Sequence, residues 1–325
     1  MNLPTAAELI NARNLLARHL VPTPQYRWPM LAKALGAEVW LKHENHLPTG
    51  AFKLRGGLVY CSGLERGETR GGIVTATRGN HGQSIAYAAR EYGLRATIVV
   101  PEGNSREKNA AMQALGAELI VKGHDFQASR EFAASLAEAR KAHRIPAFHR
   151  DLVAGVATYA LELFEAAGAL DMIFVPVGMG SGACAVAAAR NALGLRTKII
   201  GVVSSHARAY ADAFLSGEVC DRPVDTRLAD GLACRSTDPD ALAILLRELD
   251  EIVCVGDDEV AAAMRLLFSC THNVAEGAGA ASLAAAFQRR ESCAGRRVGI
   301  VLTGGNVDAD VFAEVLRPAG LPLAA

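Results

Sequence analysis

Residues 172–182 read MIFVPVGMGSG, a short apolar run followed by a turn with three glycines, and an alanine-rich segment comes next. An apolar run of this length that ends at turn residues predicts a buried strand, and the segment after it predicts a helix. The same succession recurs along the chain. Candidate strands lie at residues 38–42, 73–77, 96–100, 118–121, 145–148, 172–176, 198–203, 251–255 and 297–302.

Helical patterns separate most of these strands. Apolar residues recur there at spacings of three and four, as in residues 84–92 and 260–268. That spacing is typical of helices with one buried face. Because strands that alternate with helices form parallel sheets covered by helices, the sequence predicts an α/β fold.

The charge balance excludes some classes of partner. The 325 residues include 34 lysines and arginines and 34 aspartates and glutamates. Such a chain has no general attraction for nucleic acid or an acidic membrane surface. No apolar run approaches the roughly 20 residues that a membrane-spanning helix needs. The N-terminus, Met1-Asn2-Leu3-Pro4, lacks the order of a secretory signal, so we expect a cytoplasmic protein without nucleic-acid or membrane partners.

The cysteine pattern favours free thiols. Seven cysteines are scattered along the chain, and none forms a Cys-x-x-Cys pair. An odd number without paired spacing argues against a disulfide framework and against a zinc site. We expect reduced and mostly buried thiols.

The loops that follow the predicted strands are the places to look for a ligand site, because parallel sheets bind ligands beyond the carboxyl ends of their strands. Three such loops are rich in glycine and polar residues: 77–82 (TRGNHG), 178–182 (GMGSG) and 303–306 (TGGN). A fourth segment, 49–57 (TGAFKLRGG), places Lys53 at the start of a predicted helix.

The loop 178–182 has the chemistry of an anion site. Backbone N–H groups at a helix N-terminus favour negative charge, and glycines let a phosphate approach the backbone closely. The spacing matches neither the Walker loop nor the dinucleotide-binding fingerprint. Two interpretations therefore stay open from this loop alone, a phosphate cradle and a tight glycine turn.

Lys53 stands between Phe52 and Leu54. A lysine in apolar surroundings loses proton affinity and becomes a nucleophilic amine suited to a Schiff base. A phosphate site together with such a lysine suggests pyridoxal phosphate as cofactor. Asn80 could donate to a phenolate oxygen of that cofactor, and Thr303 offers a hydroxyl where a pyridine nitrogen could lie.

Taken in order, the segments resemble the serine/threonine dehydratase and serine racemase family of pyridoxal-phosphate enzymes. This family has the fold type II architecture of the tryptophan synthase β chain. The matching segments are 22–24 (PTP), 41–45 (LKHEN), 49–57, 77–83, 178–182, 276–279 (EGAG) and 303–306, and they span nearly the whole chain.

The resemblance implies a role for each segment. Lys53 would carry the cofactor and then act as acid and base at the substrate Cα. Residues that would bind the cofactor are Phe52, Asn80, Gly178, Met179, Gly180, Ser181, Gly182 and Thr303, and residues that would bind substrate are Thr77, Arg78, Gly79, His81 and Arg150.

The resemblance also implies the reaction and the domain organisation. The enzyme would remove water from an L-3-hydroxy amino acid of the threonine or serine type and release a 2-oxo acid and ammonia, with phosphate assisting departure of the hydroxyl. Residues 1–68 and 152–325 would form a large cofactor-binding domain, and residues 69–151 a small domain that carries the loop 77–82. Substrate would bind between the domains, and a homodimer is usual in this family.

Two arginines depart from the family pattern. Racemases of the family have a serine as second base at the position of Arg78, and arginine stays protonated, so the sequence predicts negligible racemisation. Arg150 stands where the family commonly has a proline, and we expect both arginines to face the cleft. A bulkier substrate such as 3-phenylserine, or an acidic one such as 3-hydroxyaspartate, is therefore an alternative to threonine or serine.

Two other functional classes compete with a dehydratase. One is a transferase that replaces a β or γ substituent on the same fold, although segments 49–57 and 77–81 look closer to dehydratases. The other is a non-catalytic binding protein, against which the intact Lys53 argues.

The segment 201–209 predicts that no metal binds. Many relatives in this family have a divalent-cation site after the corresponding strand, with a glutamate and an aspartate as ligands. Here those positions are Val203 and Ala209, and no acidic residue lies between Gly201 and Tyr210. Since Mg²⁺ and Ca²⁺ need oxygen ligands, we expect this site to be empty.

Overall fold

The structure is a computed structural model that describes residues 1–65 and 67–317. Its strands are β1 (Gln25–Arg27), β2 (Glu38–His43), β3 (Ile73–Ala76), β4 (Ala96–Val100), β5 (Glu118–Val121), β6 (His143–Arg144), β7 (Met172–Pro176), β8 (Lys198–Ser204), β9 (Glu251–Val255) and β10 (Arg297–Leu302).

The helices are α1 (Ala6–Leu16), α2 (Pro29–Leu35), α3 (Lys53–Ser62), α4 (Asn80–Glu91), α5 (Arg106–Ala114), α6 (Phe126–Arg140), α7 (Arg150–Ala167), α8 (Ser181–Ala192), α9 (Ala209–Ser216), α10 (Pro239–Glu248), α11 (Asp257–Thr271), α12 (Gly277–Gln288), α13 (Arg290–Cys293) and α14 (Ala309–Leu316). Short 3₁₀ turns lie at Glu44–His46 and Asp230–Leu232. None of the helices in the described ranges combines the length and the hydropathy needed to cross a bilayer.

The strands form two sheets. Six strands pair in the order β1-β2-β10-β7-β8-β9, and four pair in the order β5-β4-β3-β6. β1 runs antiparallel to β2, and the other pairs are parallel. The predicted α/β class with parallel sheets is confirmed.

The four-stranded sheet lies within the segment 69–151 that was predicted to form a small domain. The domain boundary itself stays a prediction. Arg66 and residues 318–325, which belong to the predicted large domain, lie outside the described residues.

Eight of the nine predicted strands are present, with ends within one residue of those expected. The prediction for residues 145–148 is wrong, because β6 is formed by the two residues just before them. The Ile145 N–H still donates to Val74 O at 2.9 Å, but Pro146 has no N–H with which to continue the ladder. β1 was missed, since it has three residues and little burial.

Helices cover both faces of each sheet. One apolar cluster packs α1, α7, α8 and α10 against the six-stranded sheet, and a second packs α2, α11 and α12 against its other face. Two further clusters pack α4 and α5 on one side of the four-stranded sheet and α6 on the other. The seven cysteines are free thiols, and five of them are buried within these layers.

Glycines bring α3 close to α7. A Cβ added to Gly56 would lie 2.7 Å from Leu152 O, and one added to Gly155 would lie 2.3 Å from Arg55 O. Both distances are far below a van der Waals contact and involve backbone atoms, which cannot move aside cheaply. The two helices can therefore pack at this distance only because both positions lack a side chain.

A third glycine brings α3 close to α4. A Cβ on Gly57 would lie 2.1 Å from Ser84 Oγ. That hydroxyl donates instead to Lys53 O at 2.6 Å. Helix α3 is thus held from two sides at its first turns, where Lys53 stands.

Buried charges fix the same helix to its surroundings. Arg55 donates to Glu44 Oε2 at 2.7 Å and to Glu162 Oε1 at 2.6 Å, and Lys42 donates to Glu162 Oε2 at 2.5 Å. Lys42, Glu44 and Arg55 are at most 2% exposed. Two cations and two anions balance, and the group joins β2, α3 and α7.

Adding a methyl group at the α3–α7 contact should destabilise the protein. We expect Gly155→Ala to lower the free energy of unfolding by about 1–3 kcal/mol, because the new Cβ must displace the backbone of α3. Urea unfolding followed by circular dichroism measures this change. The matched control is Gly63→Ala at the end of α3, where the nearest atom is 3.6 Å from the added Cβ and φ is −86°. Equal stability of the two variants would contradict the packing argument.

Candidate active site

A cleft opens where strands and loops from both sheets meet. Of the fourteen residues that the sequence analysis selected, thirteen line this cleft: Phe52, Lys53, Thr77, Arg78, Gly79, Asn80, His81, Gly178, Met179, Gly180, Ser181, Gly182 and Thr303. The fold therefore brings together the four segments that the sequence singled out.

Lys53 is the first residue of α3 and points its amine at the start of α8. Its Nζ donates to Ser181 Oγ at 3.3 Å and lies 4.8 Å from the centroid of the Phe52 ring. Burial lowers the pKa of Lys53 to about 8, although Cys234 and Glu276 act in the opposite direction. At such a pKa an appreciable share of the amine is unprotonated near neutral pH, which a nucleophile requires.

The glycine loop opens the N-terminus of α8 to the cleft. Gly180 precedes the helix with φ +92° and gives it no side-chain cap. A Cβ on Gly178 would collide with Gly231 O at 2.4 Å. The tight glycine turn, one of the two interpretations left open by the sequence, is present. The N–H groups in the first turn of α8 have no side-chain cap. These groups favour an anion next to the Lys53 amine.

Thr77 shapes the second loop. Its hydroxyl accepts hydrogen bonds from Gly79 N at 2.9 Å and from Gly82 N at 3.1 Å. Those two N–H groups are therefore used within the loop. The N–H groups of Asn80 and His81, in the first turn of α4, remain for an anion such as a substrate carboxylate.

The Asn80 amide has one orientation, which its hydrogen-bond partners determine. Asn80 Oδ1 accepts from Asn306 Nδ2 at 2.9 Å, and Asn80 Nδ2 donates to Glu276 Oε1. A carboxylate can only accept, so the nitrogen of the amide must face Glu276. Because the oxygen already has a donor, Asn80 offers the cleft its remaining N–H, as a phenolate oxygen would require.

His81 is a buried, neutral imidazole. It is 8% exposed, and its Nε2 has no hydrogen-bond partner among the described residues. Burial, reinforced by the nearby Lys53, lowers the pKa of His81 to about 3. The side chain can therefore donate or accept a hydrogen bond in the cleft but does not carry a charge there.

Arg150 does not belong to the cleft, contrary to expectation. It begins α7, and its Nη2 donates to Leu3 O at 3.1 Å and to Glu8 Oε2 at 2.6 Å. The side chain therefore holds the N-terminal segment and α1. Arg78, in contrast, lines the cleft as expected, and its Nε is buried without a partner among the described residues.

Sequence reasoning missed Lys108, Asp230 and Cys234, which also line the cleft. Lys108 Nζ lies 2.7 Å from Asp230 Oδ2 and 3.0 Å from Glu276 Oε2. One signal could have found Lys108, because it stands four residues before buried Met112 and so lies on the apolar face of α5. Nothing comparable in the sequence marks Asp230 or Cys234.

The segment with the missing carboxylates is apolar in the structure. Val203 and Ala209 are buried, and Arg208 pairs with Asp212 at 3.0 Å. Within residues 1–65 and 67–317, no group of three or more histidine, cysteine, aspartate or glutamate side chains could hold a metal ion. An empty site stays our prediction for this segment.

Comparisons with known proteins agree with the geometry of the cleft. Residues 16–304 match the family model described as "Pyridoxal-phosphate dependent enzyme". The chain is 32% identical to the L-threo-3-hydroxyaspartate ammonia-lyase of Saccharomyces cerevisiae, over 97% of each chain. It is also 32% identical to the biosynthetic L-threonine dehydratase of Pasteurella multocida, over 94% of this chain and 60% of that relative.

A solved structure shows the same fold. The processed form of threonine deaminase isoform 2 from Solanum lycopersicum superposes with a TM-score of 0.88 at 26% identity, over 98% of this chain and 95% of that chain. The predicted fold type II architecture is confirmed. The family match covers most of the chain, from the end of α1 to the loop after β10, and the chain therefore belongs to the family of pyridoxal-phosphate-dependent enzymes.

Proposed function

We propose that the chain is a dehydratase that removes water from an L-3-hydroxy amino acid of the threonine or serine type and yields a 2-oxo acid and ammonia. The observation that carries this proposal is the Lys53 amine, 3.3 Å from Ser181 at the uncapped start of α8. The ammonia-lyase and dehydratase activities named for the relatives support it. A β- or γ-replacement transferase has no comparable support.

The residues of the cleft fit pyridoxal phosphate. Lys53 would hold its aldehyde carbon, the first turn of α8 with Ser181 its phosphate, Asn80 its phenolic oxygen and Thr303 its ring nitrogen. When bound, the cofactor supplies an electron sink that stabilises negative charge at the substrate Cα.

Lys53 and Thr303 would direct the chemistry from the protein side. The Lys53 amine would take the proton from the substrate Cα, and a pKa of about 8 suits a group that must take up and release a proton. The Thr303 hydroxyl is too weak an acid to keep a pyridine nitrogen protonated. An unprotonated ring nitrogen would make the cofactor a weaker electron sink and would favour loss of a group from Cβ over transamination.

The first turn of α4 would orient the substrate. Its free N–H groups, with the N-terminal end of the helix dipole, would bind the α-carboxylate. The His81 imidazole lies beside Lys53 and can hydrogen-bond the substrate without changing the net charge of the site.

An acidic substrate is the second candidate, and the arginines favour it. Arg78 lines the cleft and also a neighbouring pocket that contains Arg130. Both guanidinium groups lie near enough to Cys234 to lower the pKa of its thiol, although burial still raises that pKa to about 11. Neither arginine forms an ion pair within the described part of the chain, so the charge of a second substrate carboxylate would find a partner there.

For the assembly and the compartment, we propose a cytoplasmic homodimer. Large apolar side chains are exposed in the N-terminal segment, with Val21 82%, Tyr26 50% and Met30 58% accessible. A second copy could cover them. The seven free cysteines support a reducing compartment.

Lys53 should carry the cofactor. Borohydride treatment of the purified protein should fix the cofactor on Lys53, as peptide mass spectrometry can show. Lys53→Ala should lose at least roughly 10³-fold in turnover, because covalent attachment and proton transfer are both lost. Lys122→Ala, which removes an exposed lysine, should leave turnover unchanged. Label on another lysine would refute the assignment.

Arg78 and Arg130 should determine whether the enzyme prefers a substrate with a second carboxylate. We would assay L-threonine, L-serine, L-threo-3-hydroxyaspartate and 3-phenylserine and measure the 2-oxo acid product. If Arg130 meets a second carboxylate, Arg130→Met should lower kcat/KM for hydroxyaspartate about 10- to 100-fold more than for threonine. An equal loss on both substrates would argue against acidic recognition. Turnover of none of the four would argue against the dehydratase itself.

A further inference from the structure

Lys108 is a buried lysine that contacts the cleft from α5. It is 5% exposed, whereas lysine is among the residues least often buried without a partner. Burial alone would lower the pKa of Lys108, but the carboxylates of Glu276 and Asp230 outweigh burial and raise it above its usual range. The side chain is therefore a permanent cation beneath the cleft.

The stem of Lys108 supports the loop that carries Asn80. A Cβ on Gly79 would lie 2.3 Å from Lys108 Cδ and 3.1 Å from Lys108 Cγ. The methylene groups thus pack directly against the backbone of Gly79, the residue before Asn80. Lys108 contacts this loop with its stem and reaches Glu276 with its ammonium group.

Glu276 joins Lys108 to the side chain of Asn80. It is 2% exposed, and its Oε1 accepts the hydrogen bond from Asn80 Nδ2. Burial raises the pKa of Glu276, and Asp230 adds to this rise, while Lys108 and the hydrogen bond from Asn80 oppose it. The Lys53 amine is also near enough to Glu276 for this carboxylate to act against the lowering of the Lys53 pKa. Of these neighbours, only the Lys108 ammonium lies within ion-pair distance of the carboxylate.

We propose that Lys108 is a positioning residue that keeps Glu276 ionised and thereby fixes Asn80 as a hydrogen-bond donor toward the cofactor. An ionised carboxylate accepts only, so it admits one orientation of the Asn80 amide. A protonated carboxyl can also donate and would admit both orientations. This inference rests on the proposed assignment of the cleft as the cofactor site.

The test compares cofactor binding to cofactor-free protein. Lys108→Met keeps most of the stem and removes the charge, so it should weaken pyridoxal phosphate binding about 10- to 100-fold. In the Lys108→Met variant, Glu276 should take up a proton more readily. The visible absorbance of the bound cofactor should then show an additional titration step with pH. The double variant Lys108→Met/Glu276→Gln should lack that step, because no titrating carboxyl remains at position 276.

Control variants separate this role from general packing. Arg106→Met lies on the same helix with a side chain that is 80% exposed, and it should change cofactor affinity by no more than about twofold. Glu276→Gln removes the same ion pair from its other end and should weaken binding about as much as Lys108→Met. Because both changes remove the same ion pair, the double variant should bind the cofactor no more weakly than the single variant that binds it less tightly.

Several results would overturn the proposal. These are wild-type affinity in a folded Lys108→Met protein, additive losses in the two single variants, and a titration step that persists in the double variant. If Lys108→Met does not fold, wild-type affinity in Glu276→Gln alone overturns it. Borohydride labelling of Lys53 in the same samples distinguishes a failure of the proposed function from a failure of the proposed role of Lys108. Label elsewhere contradicts the proposed function, whereas label on Lys53 with an indifferent Lys108→Met contradicts this inference alone.

Discussion

The close approach of α3 to α7 and α4 is the constraint on which the cleft depends. Gly56, Gly57 and Gly155 let backbone pack against backbone, and the Arg55 guanidinium is enclosed by Glu44 and Glu162. Breaking one member of a buried ion pair leaves the other uncompensated, at a cost of about 3–5 kcal/mol. Since Lys53 stands two residues before Arg55, this packing sets where its amine can reach. The anion site at α8 is within hydrogen-bond distance of that amine.

Two lysines of the cleft, the partly buried Lys53 and the buried Lys108, show how neighbouring charges decide the outcome of burial. Lys53 has no carboxylate in ion-pair contact within the described residues, and burial lowers its pKa to about 8. Lys108 is buried more completely, yet two carboxylates within 3.0 Å raise its pKa. One lysine is thus suited to exchange protons, and the other is suited to remain a fixed charge. The same residue type serves two purposes a short distance apart because, within the described residues, carboxylates form ion pairs with Lys108 and not with Lys53.

Local patterns were enough to predict most of the fold and the loops of the cleft. Strands such as β4 and β7 are continuous apolar runs, and the glycine-rich loops follow directly from the strands before them. The errors came from features that the local pattern does not contain. Pro146 ended β6 early, and the Arg150 side chain turned toward Glu8 because loop position does not specify side-chain direction.

Lys108 escaped prediction for a related reason. Its partners Asp230 and Glu276 are far away in the sequence, and only the folded chain brings them together.

Its surroundings make Lys53 an unusually acidic lysine next to an anion site. The most direct measurement is the pKa of Lys53 in the cofactor-free protein, obtained from the pH dependence of competitive amine labelling and mass spectrometry. We predict a pKa of about 8 for Lys53. The exposed lysines of the same sample should label with pKa values of about 10.4. A Lys53 pKa equal to theirs would contradict the claim.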